Sequence, residues 1–581
     1  MNLSDSQKEA VCHGEGPLLV TAGAGSGKTR TLTERVIYLI NSGVNPQRIV
    51  AITFTNKAAD EMRRRIVEGV RRAGRKDLPY VGTFHAFCAR ILRKEAKSLG
   101  RDHNFAIFDD DDSLRVVKKS VQALGLPENK KITPASLVKE ISNTKMELLT
   151  SDGLESPTKE VFEDYEMRLA EQNAFDFDDL ITKTVELFSS NPAKLKKYQD
   201  QFDYILVDEY QDINRAQYVL IKLLSREHKN INVVGDDQQS IYAFRGANIK
   251  TFLDFERDWP GAKIVHLGEN YRSTSNIVDA AARVIENNRL QIRKKLWTQN
   301  PQGAPVYVLG TYSPEEEADF IASEITTRGF RNSAILYRTN AQSRAVEQAL
   351  NFQSIPYEMY GGVKFYDRKE IKDILATLRY ALNPKDQVSR ERIDKAFLKK
   401  ISQKLVLELP EMAKTLGLME LLGYILKTTD YFEHLIKKFD NVEERTENVR
   451  ELISFASEFK TLGEFMERVA LLNSNDSINR LGEKDAPVKL MTIHLAKGLE
   501  FDDVYIAGVD DGILPHHRSF FKEDDIEEER RLMYVAMTRA KENLTLSFHS
   551  IASRFLYEMP PELIKFKKDG QFEEEDTIYL D

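Results

Sequence analysis

The chain has 581 residues, 41% hydrophobic and 30% charged, a balance that suits a soluble globular protein and excludes a disordered one. With domains near ~100–150 residues, that length predicts about four units. A net charge of −8 excludes coating of duplex nucleic acid by bulk electrostatics, so any nucleic-acid contact must follow a local groove.

The opening residues, MNLSDSQKEA, lack the basic and apolar pattern of a signal peptide, and no apolar run nears the ~20 residues of a membrane span. A cytoplasmic site of action and no membrane partner are expected. Cys12 and Cys88 form no disulfide framework and suit no zinc site, which predicts two reduced, partly buried thiols.

The stretch PLLVTAGAGSGKT, Pro17 to Thr29, reads as a strand, LLVTA (18–22), then a glycine-rich turn, then a helix starting near Gly27. That is the order of a P-loop. The small residues Ala22, Gly23, Ala24, Gly25, Ser26 and Gly27 let backbone amides cradle phosphate oxygens, with Ala22 where the first glycine usually stands. Lys28 offers a charge to the β- and γ-phosphates and Thr29 a hydroxyl to Mg²⁺. A chance Lys-Thr after a glycine turn would explain neither the strand before it nor the helix after it. A nucleoside triphosphate is the expected ligand.

IVAITFT (49–55) is the next strand, and Phe54 at its end and His85 in GTFHAFC read equally as core aromatics or as base-stacking groups. Lys/Glu-rich helical patterns from about 94 to 175, such as SLVKEISNTKMELL, predict a helical insertion. YILVDE (204–209) then places Asp208 and Glu209 just past a strand. Asp208 suits a hydrated Mg²⁺, and Glu209 is placed to orient and deprotonate an attacking water. Such a pair is by itself also a common acidic turn, and the P-loop in the same chain favours hydrolysis. INVVGDD (231–237) runs into GDDQQSIYAFRGA, where Gln239 is a candidate γ-phosphate sensor. Tyr242 and Phe244, beside Arg245, are spaced to stack single-stranded bases, with core packing as the alternative.

A second group of strands comprises KIVHL (263–267), SAILYRT (333–339), VKLMTIH (488–494), VYIAGV (504–509) and NLTLSF (543–548). Arg272 in ENYRSTSN and Arg539 in RRLMYVAMTRAKE are candidates for an arginine that meets charge developing on a γ-phosphate, an effect of ~10³–10⁵. Seen alone, each reads more readily as a surface ion-pair residue, since Lys and Arg are abundant here, and spacing cannot promote it. Residues of about 384–486 read as a second helical insertion, and QFEEEDTIYLD as a frayed solvated tail. Strands alternating with helices predict two parallel α/β sheets covered on both faces, with the chemistry at the C-terminal strand ends.

In order, the motifs are LSDSQKEAV, AGAGSGKTRTL, ITFTNKAADEM, GTFHAF, FDFDDL, VDEYQD, GDDQQSIYAFRGA, NYRSTSNI, ILYRTNAQSR, YGGVKFYDRKEIKD, MTIHLAKGLEFDDVYI and EEERRLMYVAMTRAK. This series, spread over both sheet regions, resembles the superfamily 1A DNA helicases of the UvrD/PcrA/Rep family. The resemblance implies an α/β fold of two RecA-like P-loop NTPase domains with parallel sheets, each carrying a mainly helical insertion subdomain. It sets motor domain 1A at 1–93 and 176–268, insertion 1B at 94–175, motor domain 2A at 269–383 and 487–560, a shortened insertion 2B at 384–486 and a C-terminal tail at 561–581. It implies an ATP-dependent 3′–5′ helicase and translocase, using Mg²⁺, on single-stranded and 3′-tailed duplex DNA, with repair or replication proteins as partners.

By the same resemblance, Gln7 would read the adenine edge while Arg30 and Tyr271 pack on the base. Lys28, Thr29 and Asp208 would hold the Mg²⁺–triphosphate, with Glu209 activating water, Gln239, Arg272 and Arg539 at the γ-phosphate and Glu500 on the ribose. Arg272 and Arg539 would face Lys28 from the second motor domain. Phe54, His85, Phe177, Tyr242, Phe244, Arg245 and Arg338 would line the strand track. Relatives carry Trp where Phe244 stands, and phenylalanine keeps the stacking face with less area. The shortened 384–486 insertion lacks the glycine-rich turn used against duplex backbone, which makes a translocase that displaces bound proteins the alternative reading. A small-molecule P-loop kinase is a further rival, and it would need no aromatic track.

Overall fold

The computed structural model describes residues 3–72, 77–126, 133–329, 332–439, 441–474, 487–568 and 571–572. They form two compact units, Met1–Ser273 with Asn288–Asn300, and Thr274–Asn287 with Pro301–Asp581.

In the first unit the strands are β1 (Leu18–Ala22), β2 (Ile49–Thr53), β3 (Tyr80–Thr83), β4 (Ala106–Phe108), β5 (Ala174–Asp176), β6 (Tyr204–Val207), β7 (Ile231–Gly235) and β8 (Lys263–Leu267). Six of them make one parallel sheet in the order β3-β2-β6-β7-β1-β8. β1, β2, β6 and β7 are buried at every residue, which is why they read as unbroken apolar runs rather than alternating ones. KIVHL, expected with the second group of strands, is β8 and pairs in parallel with β1, Leu18 against Lys263. β3 was not anticipated from the sequence.

The first insertion packs helices Asp110–Ala123, Pro134–Met146 and Thr158–Glu171 around Val117, Ile141, Val161 and Leu169, beside the parallel pair β4–β5. It is fastened to the motor body by Lys145, whose buried ammonium lies 2.5 Å from Glu166, 2.7 Å from Asp176 and 2.8 Å from Asp179. Asp176 in turn caps the helix Phe177–Ser190, its side chain accepting from the Asp179 amide.

The second unit holds β9 (Val306–Gly310), β10 (Ser333–Tyr337), β11 (Tyr357–Met359), β12 (Val488–Thr492), β13 (Phe501–Ala507), β14 (Ala540–Phe548), β15 (Ile564–Lys568) and β16 (Gln571–Phe572). Their order is β11-β12-β10-β13-β14-β9-β15-β16, parallel except for the β15–β16 pair. β15 corrects the expectation of a bare tail from 561, since Ile564 pairs with Val306 and the strand extends the sheet. The tail from 573 lies outside the described residues. Among the described residues the second insertion is built of helices, from Gln387–Ala396 through Leu462–Ser474. Its core begins earlier than 384, because Ile371, Ile374 and Leu378 of helix Lys369–Leu382 are part of it. Its expected end, 475–486, lies outside the described residues. Two α/β units with parallel sheets and helical additions match the fold expected of paired RecA-like domains. No described helix is long and apolar enough to cross a membrane.

Candidate active site

At the C-terminal end of β1 the chain turns through Gly23–Gly27 into the helix Lys28–Asn41. Gly25 (φ +68°) and Gly27 (φ +83°) occupy the left-handed region that favours glycine. Space forbids side chains there as well. A Cβ on Gly25 would lie 2.8 Å from Asn270 Nδ2, and one on Gly27 2.9 Å from Gln7 Nε2. Three loop carbonyls are each held: Asn270 Nδ2 donates to Ala24 O at 2.8 Å, the Tyr271 amide to Gly25 O at 3.0 Å, and Gln7 Nε2 to Ser26 O at 3.0 Å. Gln7 is fixed in turn by a capping box with Ser4. No side chain caps the helix at Gly27, so its first turn is a ready anion site.

The ends of β6 and β7 supply the acids. Thr29 Oγ1 donates to Asp208 Oδ2 at 3.0 Å. Burial, reinforced by the neighbouring Glu209, pushes the Asp208 carboxyl up to about 7. Glu209 sits at φ +52°, a left-handed conformation that costs a non-glycine residue on the order of 1–3 kcal/mol. Gln211 holds it there, donating from Nε2 to Glu209 Oε2 at 2.6 Å while its Oε1 accepts from the Asp236 amide at 2.9 Å. Asp236 is a hub that sequence reasoning did not single out. Its carboxylate meets Lys28 Nζ at 3.8 Å, Lys294 Nζ at 2.5 Å and Gln239 Nε2 at 2.6 Å. Burial works to raise it, but Lys294 and Lys28 outweigh that and leave it below the usual carboxylate range.

A Thr hydroxyl beside a buried Asp carboxylate fits Mg²⁺, a hard ion that keeps several waters and takes one or two protein oxygens plus phosphates. Among the described residues no group of three or more His, Cys, Asp or Glu side chains could cage a metal. Next to the loop is a cavity of about 590 Å³ lined by Gln7, Ser26, Glu269, Tyr271, Lys294 and Trp297. Tyr271 stands half-exposed at its rim with its hydroxyl 2.6 Å from Glu269 Oε2, and Arg30 is half-buried.

Two expectations change. Arg272 belongs to the first unit rather than the second. Its amide donates to Asn270 Oδ1 at 2.7 Å, and its Cβ lies 2.9 Å from where a Gly25 Cβ would be. Cys12, expected to be partly buried, is exposed, whereas Cys88 is buried. Arg539, in the second unit, is buried, with Nε donating to Val535 O at 2.9 Å and Nη1 to Leu499 O at 3.1 Å. Glu500 is exposed and pairs with Lys541 at 3.1 Å.

The candidate strand residues divide into three settings. Tyr242 and Phe244 meet edge-on at 5.9 Å, Phe244 is 62% exposed, and Arg245 lies 5.4 and 5.5 Å from the two rings. His85 stacks on the half-exposed ring of Phe177 at 3.9 Å, and burial lowers its imidazole to about 4, which keeps it neutral. Phe54, by contrast, packs edge-on to the core ring of Phe84 at 5.8 Å. Arg338 makes a forked pair with Glu529, with contacts of 2.8–3.2 Å.

Comparison with known proteins agrees with this architecture. Residues 3–260 match the UvrD/REP helicase N-terminal domain, and residues 265–444 and 440–551 match the UvrD-like helicase C-terminal domain. The ATP-dependent DNA helicase PcrA of Bacillus subtilis is 39% identical over 641 residues, covering 97% of this chain and 86% of the relative. PcrA of Staphylococcus epidermidis is 38% identical, with 97% and 87% covered, and that of Leuconostoc citreum 37% identical, with 98% and 86% covered. The 641 aligned residues exceed this chain's 581, so the Bacillus relative carries segments with no counterpart here. The chain belongs to the UvrD-like helicase family.

Proposed function

We propose that this protein is an ATP-dependent DNA helicase that moves 3′ to 5′ along single-stranded DNA and opens 3′-tailed duplexes, in repair or replication restart. The observation that carries the reading is the Thr29–Asp208 contact beside a constrained Glu209, on a unit that also displays Tyr242, Phe244 and Arg245. Gln7 selects adenine, and Tyr271 and Arg30 cover the base. Lys28 exchanges Asp236 for the phosphates, while Gln239 senses the γ-phosphate from the same carboxylate. Thr29 and Asp208 hold Mg²⁺, which neutralises phosphate charge. Glu209 orients the attacking water and accepts its proton. Arg272 and Arg539 meet the developing negative charge, and Glu500 takes the ribose. Single-stranded bases stack on Tyr242, Phe244 and the His85–Phe177 pair, at ~1–3 kcal/mol each and without regard to sequence.

The deciding assay compares ATP hydrolysis with and without an oligonucleotide, then strand displacement from 3′-tailed and 5′-tailed duplexes. Stimulation by DNA with 3′-tail preference is expected, and hydrolysis indifferent to DNA would exclude a motor. The shortened insertion read at 384–486 favours a second reading, displacement of bound proteins with weak unwinding. Faster clearing of a protein-coated strand than of a fork would select it.

A further inference from the structure

The first unit has a second cavity, of about 440 Å³, at the opposite end of its sheet from the nucleotide loop. Gln47 lies just before β2, Leu78 just before β3 and Phe202 just before β6, so the cavity opens at the N-terminal strand ends. Lys28, Asp208 and Tyr242 all follow C-terminal strand ends. The cavity is therefore separate from the nucleotide site and the aromatic track.

Its chemistry is specific. Arg63, Arg90 and Lys94 are among its lining residues, and no described Asp or Glu is. Arg63 is already engaged, by Asp60 at 2.6 Å and by the Val81 carbonyl at 2.8 Å. Arg90 and Lys94 are four residues apart on the helix Phe84–Glu95, hence on one face, and both are exposed. Neither makes an ion pair among the described residues. The adjacent Glu95 is taken by Lys194 and by Lys197, so it does not neutralise them. Two uncompensated cations beside a third stand out in a chain of net charge −8. The floor is apolar, with Phe87 and Phe202 buried and Leu78 exposed at the mouth, and Tyr80 lies 5.5 Å from the Arg90 guanidinium. Simple phosphate contacts need exposed cations and no apolar floor. Cations around a greasy hollow complement a ligand carrying both carboxylates and one bulky apolar group.

We propose that this cavity docks an acidic segment of a partner protein in which carboxylates lie beside one aromatic or branched aliphatic side chain. The apolar side chain enters between Leu78, Phe87 and Phe202, and the carboxylates meet Arg90 and Lys94. The proposal is independent of the motor's polarity and pathway.

The test titrates the full chain into a fluorescein-labelled peptide of four aspartates ending in phenylalanine, read by anisotropy at low salt with and without saturating oligo(dT). Saturable binding that survives oligo(dT) is expected. It should weaken about 10-fold or more when the terminal phenylalanine becomes alanine, and again in an Arg90→Glu/Lys94→Glu variant. An Arg90→Lys variant should keep most of it. Both residues lie outside the catalytic machinery, so DNA-stimulated ATP hydrolysis and the melting temperature should stay at wild-type values and report intact folding. Binding weaker than about 1 mM, or unchanged in the charge-reversed variant, overturns the proposal. So does competition by oligo(dT), which would make the cavity a nucleic-acid contact.

Discussion

Replacing Lys145 with methionine keeps the aliphatic stem and removes one ammonium from among three carboxylates. Asp176 and Asp179 are almost fully enclosed, whereas Glu166 is partly exposed and keeps Lys183 at 3.1 Å. Two carboxylates are thus left without a cation. Removing one partner of a buried pair costs about 3–5 kcal/mol, and two orphaned charges place Lys145→Met toward the upper end. The cost must depend on pH. Burial and the like charge of Asp176 already push the Asp179 carboxyl up to about 7, above its unfolded value. A raised carboxyl pKa means the folded state binds the proton more tightly, so stability falls as pH rises from the ordinary carboxylate range through about 7. Without Lys145, whose charge works to lower it, the Asp179 carboxyl holds its proton more tightly still. The deficit should be widest near pH 8 and shrink toward pH 5. Hydrogen exchange in the helix Thr158–Glu171 reads it locally, which suits a chain of two units better than one global melt. Because Asp176 caps the helix that presents Phe177, affinity for single-stranded DNA should fall as well. Unchanged exchange at pH 8, or a deficit that widens on acidification, would refute the reasoning.

Three other outcomes are expected. Lys28→Ala should abolish ATP turnover while leaving the melting temperature near wild type, because Lys294 still pairs with Asp236 at 2.5 Å whereas Lys28 lies 3.8 Å away; appreciable residual turnover would remove the phosphate role. Arg539→Ala should lower turnover by roughly 10³-fold, and the Leu499 carbonyl, left without its guanidinium donor, should cost about 1–3 kcal/mol of stability as well. Wild-type turnover in that variant would reassign Arg539 to structure. Tyr242→Ala/Phe244→Ala should weaken single-strand affinity by about 1–3 kcal/mol per lost stack while DNA-free hydrolysis persists, and equal affinity in a filter-binding titration would place the strand elsewhere.

What the sequence discloses is what local geometry encodes. Gly25 and Gly27 are needed for their own backbone angles, so the P-loop is legible in thirteen residues. Strand membership is not local. KIVHL has the apolar pattern of either sheet, and only pairing with β1 assigns it. IKFKK is not legible as a strand because its lysines at 565, 567 and 568 resemble a solvated tail, and only its pairing with β9 assigns it. The same limit governs the site. Asp208 and Glu209 stand out beside a strand, but Lys294 meets Asp236 at a sequence separation of 58 and Arg338 meets Glu529 at one of 191. No spacing rule reaches that far, so the resemblance sets Arg338 on the strand track while its fork is already occupied by Glu529.

The sharing of Asp236 has a consequence for the speed of the engine. A lysine held by a single buried counter-ion would strand a naked carboxylate each time it left for an incoming phosphate. Here a second ammonium, itself shared with Asp237, stays on Asp236, so Lys28 can come and go with every turnover without leaving that carboxylate bare of any cation.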